Sequence, residues 1–239
     1  MYQDSPVSFG PGTSPISTDI VSYGPDVGTE DDFRLLGDLK GKRVLELGCG
    51  NGQRSIAFAR QGATAIGVDF SAEMIDAAKR LCEREKVRVE LRHSDLADLA
   101  FLRVESIDLV FSAYALSYGR DVERVFRQAH RVLKVGASLV FSLRHPVYDI
   151  FDDNDVQRPP VVARSYFDRA ASREHRSGQI VELHHHTLGD LLLGLVRSGY
   201  RIDNVMEPEP LRGPPHVAYH PASRFVPRAL IVRARKEGF

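Results

Sequence analysis

The chain carries no net charge, because lysine plus arginine and aspartate plus glutamate each total 32. It therefore lacks the uniform positive field that draws nucleic acid or an anionic membrane without regard to sequence, and neither is expected as a partner. Cysteine is scarce: Cys49 and Cys82 are the only two in 239 residues. They make no disulfide framework, which fits a reducing, cytoplasmic setting. No apolar run reaches the roughly 18 residues of a membrane span. Met1 to Ile20 is rich in Ser, Pro and Gly and lacks the basic and apolar regions of a leader, so neither a secretion signal nor a span is expected. No segment repeats. What is present is apolar material, 43% of the residues, enough in a chain of this length to bury the core of one α/β domain.

Past the polar N-terminal arm, Asp31 to Leu39 shows mixed helical spacing, and from there short apolar runs alternate with helical patterns. Val44 to Leu47, Ala65 to Val68, Val87 to Leu91, Ile107 to Ser112 and Ser138 to Leu143 read as buried strands, each too short for a free-standing helix. Gln53 to Arg60, Ala72 to Glu83 and Val122 to Leu133 carry apolar residues three and four apart, with Ser71 as N-cap of the second. Such helices cross over between parallel strands, in right-handed units. From Arg144 to Glu182 the rhythm breaks at Asp152, Asp153, Asp155, Pro159 and Pro160, as in an insertion over a site. Thr187 to Arg197 resumes a helix closed by Gly199. Arg201 to Met206 and Ala229 to Ala234 read as closing strands around a loop containing Pro208, Pro210, Pro214, Pro215 and Pro221. The fold class is α/β, a Rossmann-like doubly wound sheet with helices on both faces.

The main chemical signal is Glu46-Leu47-Gly48-Cys49-Gly50-Asn51-Gly52, a glycine-rich turn directly between a strand and a helix. Without Cβ atoms the turn can be tight and a ligand can lie against its backbone, while the helix start offers N–H groups to a carboxylate or phosphate. Asp69 closes the next strand, where a carboxylate can accept hydrogen bonds from both hydroxyls of a ribose. A dinucleotide fingerprint wants a third glycine where this chain has Gln53. Glu46, an acid within the turn, would repel a pyrophosphate but suits a cationic amino and sulfonium group.

With Gly67-Val68-Asp69-Phe70-Ser71 and Met74, with His93-Ser94-Asp95-Leu96, and with Asp108-Leu109-Val110-Phe111-Ser112, that turn resembles the class I S-adenosylmethionine-dependent methyltransferases, in particular the bacterial group that methylates small molecules. The resemblance spans roughly residues 20 to 235 and implies about seven strands, mostly parallel with an antiparallel last one. It implies that Gly48, Cys49, Gly50 and Gly52 line the methionine and ribose of S-adenosylmethionine, whose product is S-adenosylhomocysteine. Asp69 would bind the ribose, Phe70 and Met74 would flank adenine, and Asp95 with Leu96 would hold its edge. The backbone at Ser112 and Ala113 would meet the methionine amino group, and Tyr23-Gly24-Pro25 would belong to an arm closing over that end. Phe70 and Met74 would serve equally as core, and Asp95 as a loop cap.

Methyl transfer to a hydroxyl or amine needs donor and acceptor held near contact and a proton removed. His145, in Arg144-His145-Pro146 after the fifth strand, is the candidate general base, and it could equally cap that strand. Tyr114 and Tyr118, after the fourth, are candidates to orient the acceptor or to wall the pocket. His184-His185-His186 lacks a familiar ligand spacing and no metal is expected. His216, Tyr219 and His220 would line the acceptor pocket or merely connect elements. Ser112-Ala113-Tyr114-Ala115 stands where enzymes acting on exocyclic amines in nucleic acid carry Asn/Asp-Pro-Pro-aromatic, which counts against that substrate but not against a protein or peptide methyltransferase. A non-catalytic, donor-binding regulatory protein is a further alternative, and an NAD-dependent oxidoreductase ranks last. Residues 1–40 are expected to form an arm and helix over the site and 41–239 the donor-binding domain, with an acceptor-side insertion at about 144–186. A monomer or homodimer is expected.

Overall fold

The computed structural model describes residues 17–24, 27–151, 160–176, 179–209 and 221–238. Helix α1 (Glu30–Phe33) precedes β1 (Arg43–Leu47), α2 (Gln53–Arg60), β2 (Thr64–Asp69), α3 (Ala72–Glu85), β3 (Glu90–His93), β4 (Ile107–Ala113), α4 (Val122–Val132) and β5 (Leu133–Arg144). A hairpin of β6 (Ser172–Arg176) and β7 (Gln179–Leu183) follows, then α5 (Leu188–Arg197), β8 (Tyr200–Met206) and β9 (Ala229–Lys236). Among the described residues seven strands form one sheet in the order β3-β2-β1-β4-β5-β9-β8, and β6 pairs with β7 in a separate hairpin. β9 runs against both its sheet neighbours, β5 and β8. This is the doubly wound sheet with an antiparallel last strand. Strand order reverses between β1 and β4, which opens a crevice at their carboxyl ends, the place where open α/β sheets take ligands.

Alternate residues of each strand feed opposite faces. Leu45, Leu47, Ile66 and Val68 join Phe126 of α4 and Phe141 of β5 on one side. Val44, Ala65, Phe111 and Val140 join Phe58 of α2 on the other. In α4 the buried Val122, Val125, Phe126, Ala129 and Val132 make one helical stripe, and the Asp121 side chain caps its start by accepting the Arg124 N–H at 2.8 Å. Burying Phe126 alone contributes about 1.5–3 kcal/mol. Among the described residues no helix is long and apolar enough to cross a membrane.

Several elements differ from the sequence expectation, each for a local reason. The helix expected over Asp31 to Leu39 is a single turn, because the Glu30 carboxylate accepts the N–H groups of Leu35 (3.1 Å) and Leu36 (2.7 Å) and the chain leaves through Arg34 at φ 53°. The third strand begins at Glu90 rather than Val87, since Lys86 turns left-handed and Val87 donates back to Cys82 at 3.0 Å. Between β3 and β4 the chain crosses by turns and not by a helix. The insertion holds the β6–β7 hairpin, which the sequence pattern does not reveal. Thr187 caps α5 reciprocally with Asp190, as its position suggested.

Candidate functional site

The turn after β1 is stitched to the end of β2. Val68 O accepts from both Gly48 N (2.8 Å) and Cys49 N (2.9 Å), and Gly50 N donates to the Asp69 carboxylate at 2.8 Å. The other Asp69 oxygen accepts Ser71 N at 2.9 Å. Burial pushes the Asp69 carboxyl pKa up, and these N–H groups only partly oppose it. Gly48 sits at φ 73°, and a Cβ there would stand 2.1 Å from that of Ala115. Gly50, at φ 53°, has no atom within 4 Å of where its Cβ would be, so its backbone faces open space.

That space is a cavity walled by Gly48, Cys49 and Gly50 from the turn and by Asp69, Phe70 and Met74 from β2 and α3. Leu96, Ala113, Tyr114 and Tyr118 complete its opposite side, and Val181 of β7 reaches it from the hairpin. Phe70 is 44% exposed, with its ring 5.9 Å from that of Tyr118. Tyr114 has φ 59°, unusual for a bulky residue, and is held there by its N–H bond to Ser142 O at 2.8 Å. The N-terminal arm lies against it: a Cβ on Gly24 would fall 2.2 Å from the Tyr114 ring. A neighbouring groove of about 900 Å³ shares Phe70, Leu96, Tyr118 and Val181 with the cavity and adds Asp95, whose carboxylate accepts the Ala97 N–H at 2.7 Å.

Other expected site residues lie outside the cavity wall. Tyr23 is fully buried, edge-on to Phe33 and Phe111, and its hydroxyl donates to Glu30 at 2.6 Å. Ser112 donates to Leu47 O at 3.0 Å and so ties β4 to β1. Gly52 begins α2 where a Cβ would meet that of Ala78 at 3.0 Å, a packing constraint. Glu46 is fully buried beneath the turn, accepting Ser55 Oγ at 2.5 Å with Arg54 Nη1 at 4.0 Å, and burial pushes its pKa up to about 7 against the opposing pull of Arg54 and Ser55.

His145 departs furthest from expectation. It does stand at the end of β5, but its ring is buried away from the cavity. Its Nδ1 accepts the Val147 N–H at 3.1 Å, which puts the proton on Nε2, and Nε2 donates to Glu207 at 2.8 Å. Both nitrogens are engaged, which is the arrangement of a strand-end clamp. Two of the three histidines in the run are spent on positioning, His185 Nε2 donating to Tyr166 O and His186 Nε2 to Gly119 O, each at 2.9 Å, while His184 lines the neighbouring groove and its backbone N–H donates to Ser117 O at 2.7 Å. Pro25, Asp152, Asp153, Asp155, Pro159, Pro210, Pro214, Pro215, His216, Tyr219 and His220 lie outside the described residues.

Sequence reasoning missed Arg54, which lines the cavity although it is only 4% exposed. A signal was available, because Gln53, Arg54 and Ser55 put three polar residues in a row at the start of a short helix that then turns apolar at Ile56-Ala57-Phe58. Charge there, directly after a ligand-type turn, is out of place for packing alone.

A methyltransferase-domain family model matches residues 44–136, the stretch from β1 into the start of β5. The structure is similar to that of an S-adenosylmethionine-dependent methyltransferase from Mesorhizobium loti, at 29% identity and a TM-score of 0.68 over 85% of this chain and 95% of that one. It is also similar to a Listeria monocytogenes protein assigned to the same class, at 27% identity and a TM-score of 0.73 over 87% and 96% of the two chains. A ubiquinone biosynthesis O-methyltransferase from Coxiella burnetii is 33% identical over 104 residues, a match that spans 44% of each chain. Sheet order, glycine turn, closing aspartate and these likenesses agree: residues 44–136 match a methyltransferase domain, and the fold around them is that of S-adenosylmethionine-dependent methyltransferases, consistent with class I.

Proposed function

We propose that the chain transfers the methyl group of S-adenosylmethionine to a small-molecule acceptor, at a hydroxyl or an amine. The observation that carries this is the Gly50–Asp69 contact: the turn presents bare backbone to the cavity, and each Asp69 oxygen keeps a lone pair beyond the N–H it already accepts. That combination suits a ribose lying against the turn. Gly48, Cys49 and Gly50 then carry the methionine side and Asp69 the ribose hydroxyls. Phe70 and Met74 flank adenine, Leu96 and Asp95 meet its edge, and the backbone of Ala113 faces the amino group, with Ser112 behind it tying β4 to β1. Glu46 acts from beneath through its field, and Gly52 through packing. When bound, the donor supplies a methyl group made electrophilic by its sulfonium.

The protein's own part is to hold the acceptor in line and exclude water. Tyr114 follows directly on β4, shares a wall with the donor turn and is braced by the arm at Gly24, so it orients the acceptor. His145, with both nitrogens engaged, supports the end of β5 and is not assigned the base. The arm, within residues 1–40, and the insertion at about 144–186 set acceptor choice, a reading supported by Gly24 against Tyr114 and by Val181 in the cavity wall. The O-methyltransferase likeness makes a hydroxyl the first acceptor to screen.

Calorimetric titration with S-adenosylmethionine, S-adenosylhomocysteine and NAD tests the donor assignment without knowledge of the acceptor. Saturable binding of the two sulfur compounds but not NAD is expected. Folded protein that binds neither sulfur compound would remove it.

A further inference from the structure

The cavity is lined by charges of both signs, and Arg54, a cation in its wall, has no role in the account above. Asp69 and Glu73 stand on the β2–α3 side, while Arg54 stands in the first turn of α2. A guanidinium presents five N–H donors in a rigid planar fork, so fixing one of them fixes the plane of the rest. Here Nε donates to Ser22 O, in the N-terminal arm, at 2.7 Å, and Nη1 stands 4.0 Å from Glu46. The Arg54 side chain is 5% exposed and that of Glu46 fully enclosed. Burying such a pair brings little stability compared with apolar residues of the same volume. Arg54 also belongs to the wall of a ligand cavity, beside the N–H groups that open α2. A ligand with an anionic end and a pair of hydroxyls has one favourable direction in this field, anion toward Arg54 and hydroxyls toward Asp69. The reverse direction would set its anion against Asp69 and Glu73.

We propose that Arg54 reads the amino-acid end of the methyl donor, its guanidinium receiving the α-carboxylate while Ser22 and Glu46 hold it in plane. One side chain thereby fastens the N-terminal arm to the donor site. The proposal rests on the donor placement argued above and adds to it a residue and a direction.

The test uses two probes that share adenosine and thioether but differ in the amino-acid end: S-adenosylhomocysteine, which carries the carboxylate, and methylthioadenosine, which does not. Both are titrated into the full chain and into Arg54→Gln and Arg54→Lys. In the native chain S-adenosylhomocysteine should bind about tenfold or more tighter than methylthioadenosine, the worth of a hydrogen bond to a charged group. Arg54→Gln should erase that preference while leaving methylthioadenosine affinity within about twofold, and Arg54→Lys should restore part of it. Equal weakening of both probes in Arg54→Gln, or an unchanged preference, would overturn the assignment. Should Arg54→Gln not fold, Arg54→Lys decides: a reduced preference with methylthioadenosine unchanged supports the proposal, and an unaltered one overturns it. A native chain that binds neither probe refutes the donor reading itself, a result distinct from loss of preference in the variants.

Discussion

Replacing Asp69 by Asn separates a ligand role from a structural one at a single carboxylate. Its two oxygens accept Gly50 N at 2.8 Å and Ser71 N at 2.9 Å, so the side chain closes the glycine turn and holds the first residue before α3. An amide has one acceptor oxygen, and its NH₂ group must then face one of those two N–H groups. Leaving one part-buried backbone donor without its acceptor costs at most about 1–3 kcal/mol, toward the lower figure because the open cavity lets water reach it. Against this, burial is the largest influence on Asp69 and raises its pKa, so a neutral side chain recovers part of the desolvation penalty. The net loss of stability should fall at the lower end, about 1–2 kcal/mol, or a melting point lowered by roughly 2–8 °C in a chain of this size. Donor affinity has no such compensation. A ribose hydroxyl that met a carboxylate would meet an amide nitrogen, and losing a hydrogen bond to a charged group costs about 1.5–3 kcal/mol, on the order of 10- to 150-fold in Kd. Urea unfolding and calorimetric titration with S-adenosylhomocysteine measure the two effects on the same preparation. Affinity falling well beyond stability is the expected outcome. A destabilised variant that binds as tightly as the native chain would refute the ribose role and leave Asp69 a clamp for the turn.

Three further outcomes follow from the geometry. Gly48→Ala places a Cβ 2.1 Å from that of Ala115 at φ 73°, so overpacking and backbone strain together should cost on the order of 2–4 kcal/mol and abolish donor binding; an unshifted melting point would show that the turn can yield. His145→Ala should lower stability by about 1–3 kcal/mol through its lost bonds to Val147 and Glu207, yet spare donor affinity and, once an acceptor is found, leave kcat within a few fold; a collapse of kcat with normal stability would return the base role to this ring. Asp190 has a pKa of about 2, because bonds from Arg169 and Thr187 overcome the upward push of burial. A depressed folded pKa stabilises above the ordinary carboxylate value of about 3.9, and that stabilisation is lost as pH falls toward 2. The difference between the native chain and Asp190→Asn should therefore be full near pH 6 and vanish near pH 2 in urea midpoints, and a difference independent of pH would contradict the linkage.

What the sequence reveals and what it hides divide along burial and chain distance. Strands enclosed on both faces announce themselves, as Val44-Leu45-Glu46-Leu47 and Ile107 to Ser112 do, since residues of both faces meet a packed layer and the run becomes mostly apolar, broken only by Glu46, Asp108 and Ser112. The edge strand Glu90-Leu91-Arg92-His93 has no second neighbour and a largely exposed surface, so its polar residues leave no strand pattern, and the eye is drawn to Val87 and Val89 just before it. The same absence hides the β6–β7 hairpin, which pairs outside the main sheet and carries Ser-Arg-Glu-His-Arg on one arm. The glycine turn is legible because its requirement is local: backbone conformation and room for a ligand are properties of residues adjacent in sequence. His145 shows the opposite case. Its place at the end of a strand follows from the sequence, but the direction of its ring is fixed by Glu207, 62 residues later, and a base is defined by direction. Arg54 depends in the same way on Ser22, 32 residues earlier. Residue type and position relative to the sheet thus delimit which side chains are candidates, and partners distant in the chain decide which candidates face the cavity. This is why the part of the cavity wall built from the glycine turn, whose residues are consecutive, is far more legible than the part to which β4, the hairpin and residues after β4 each contribute.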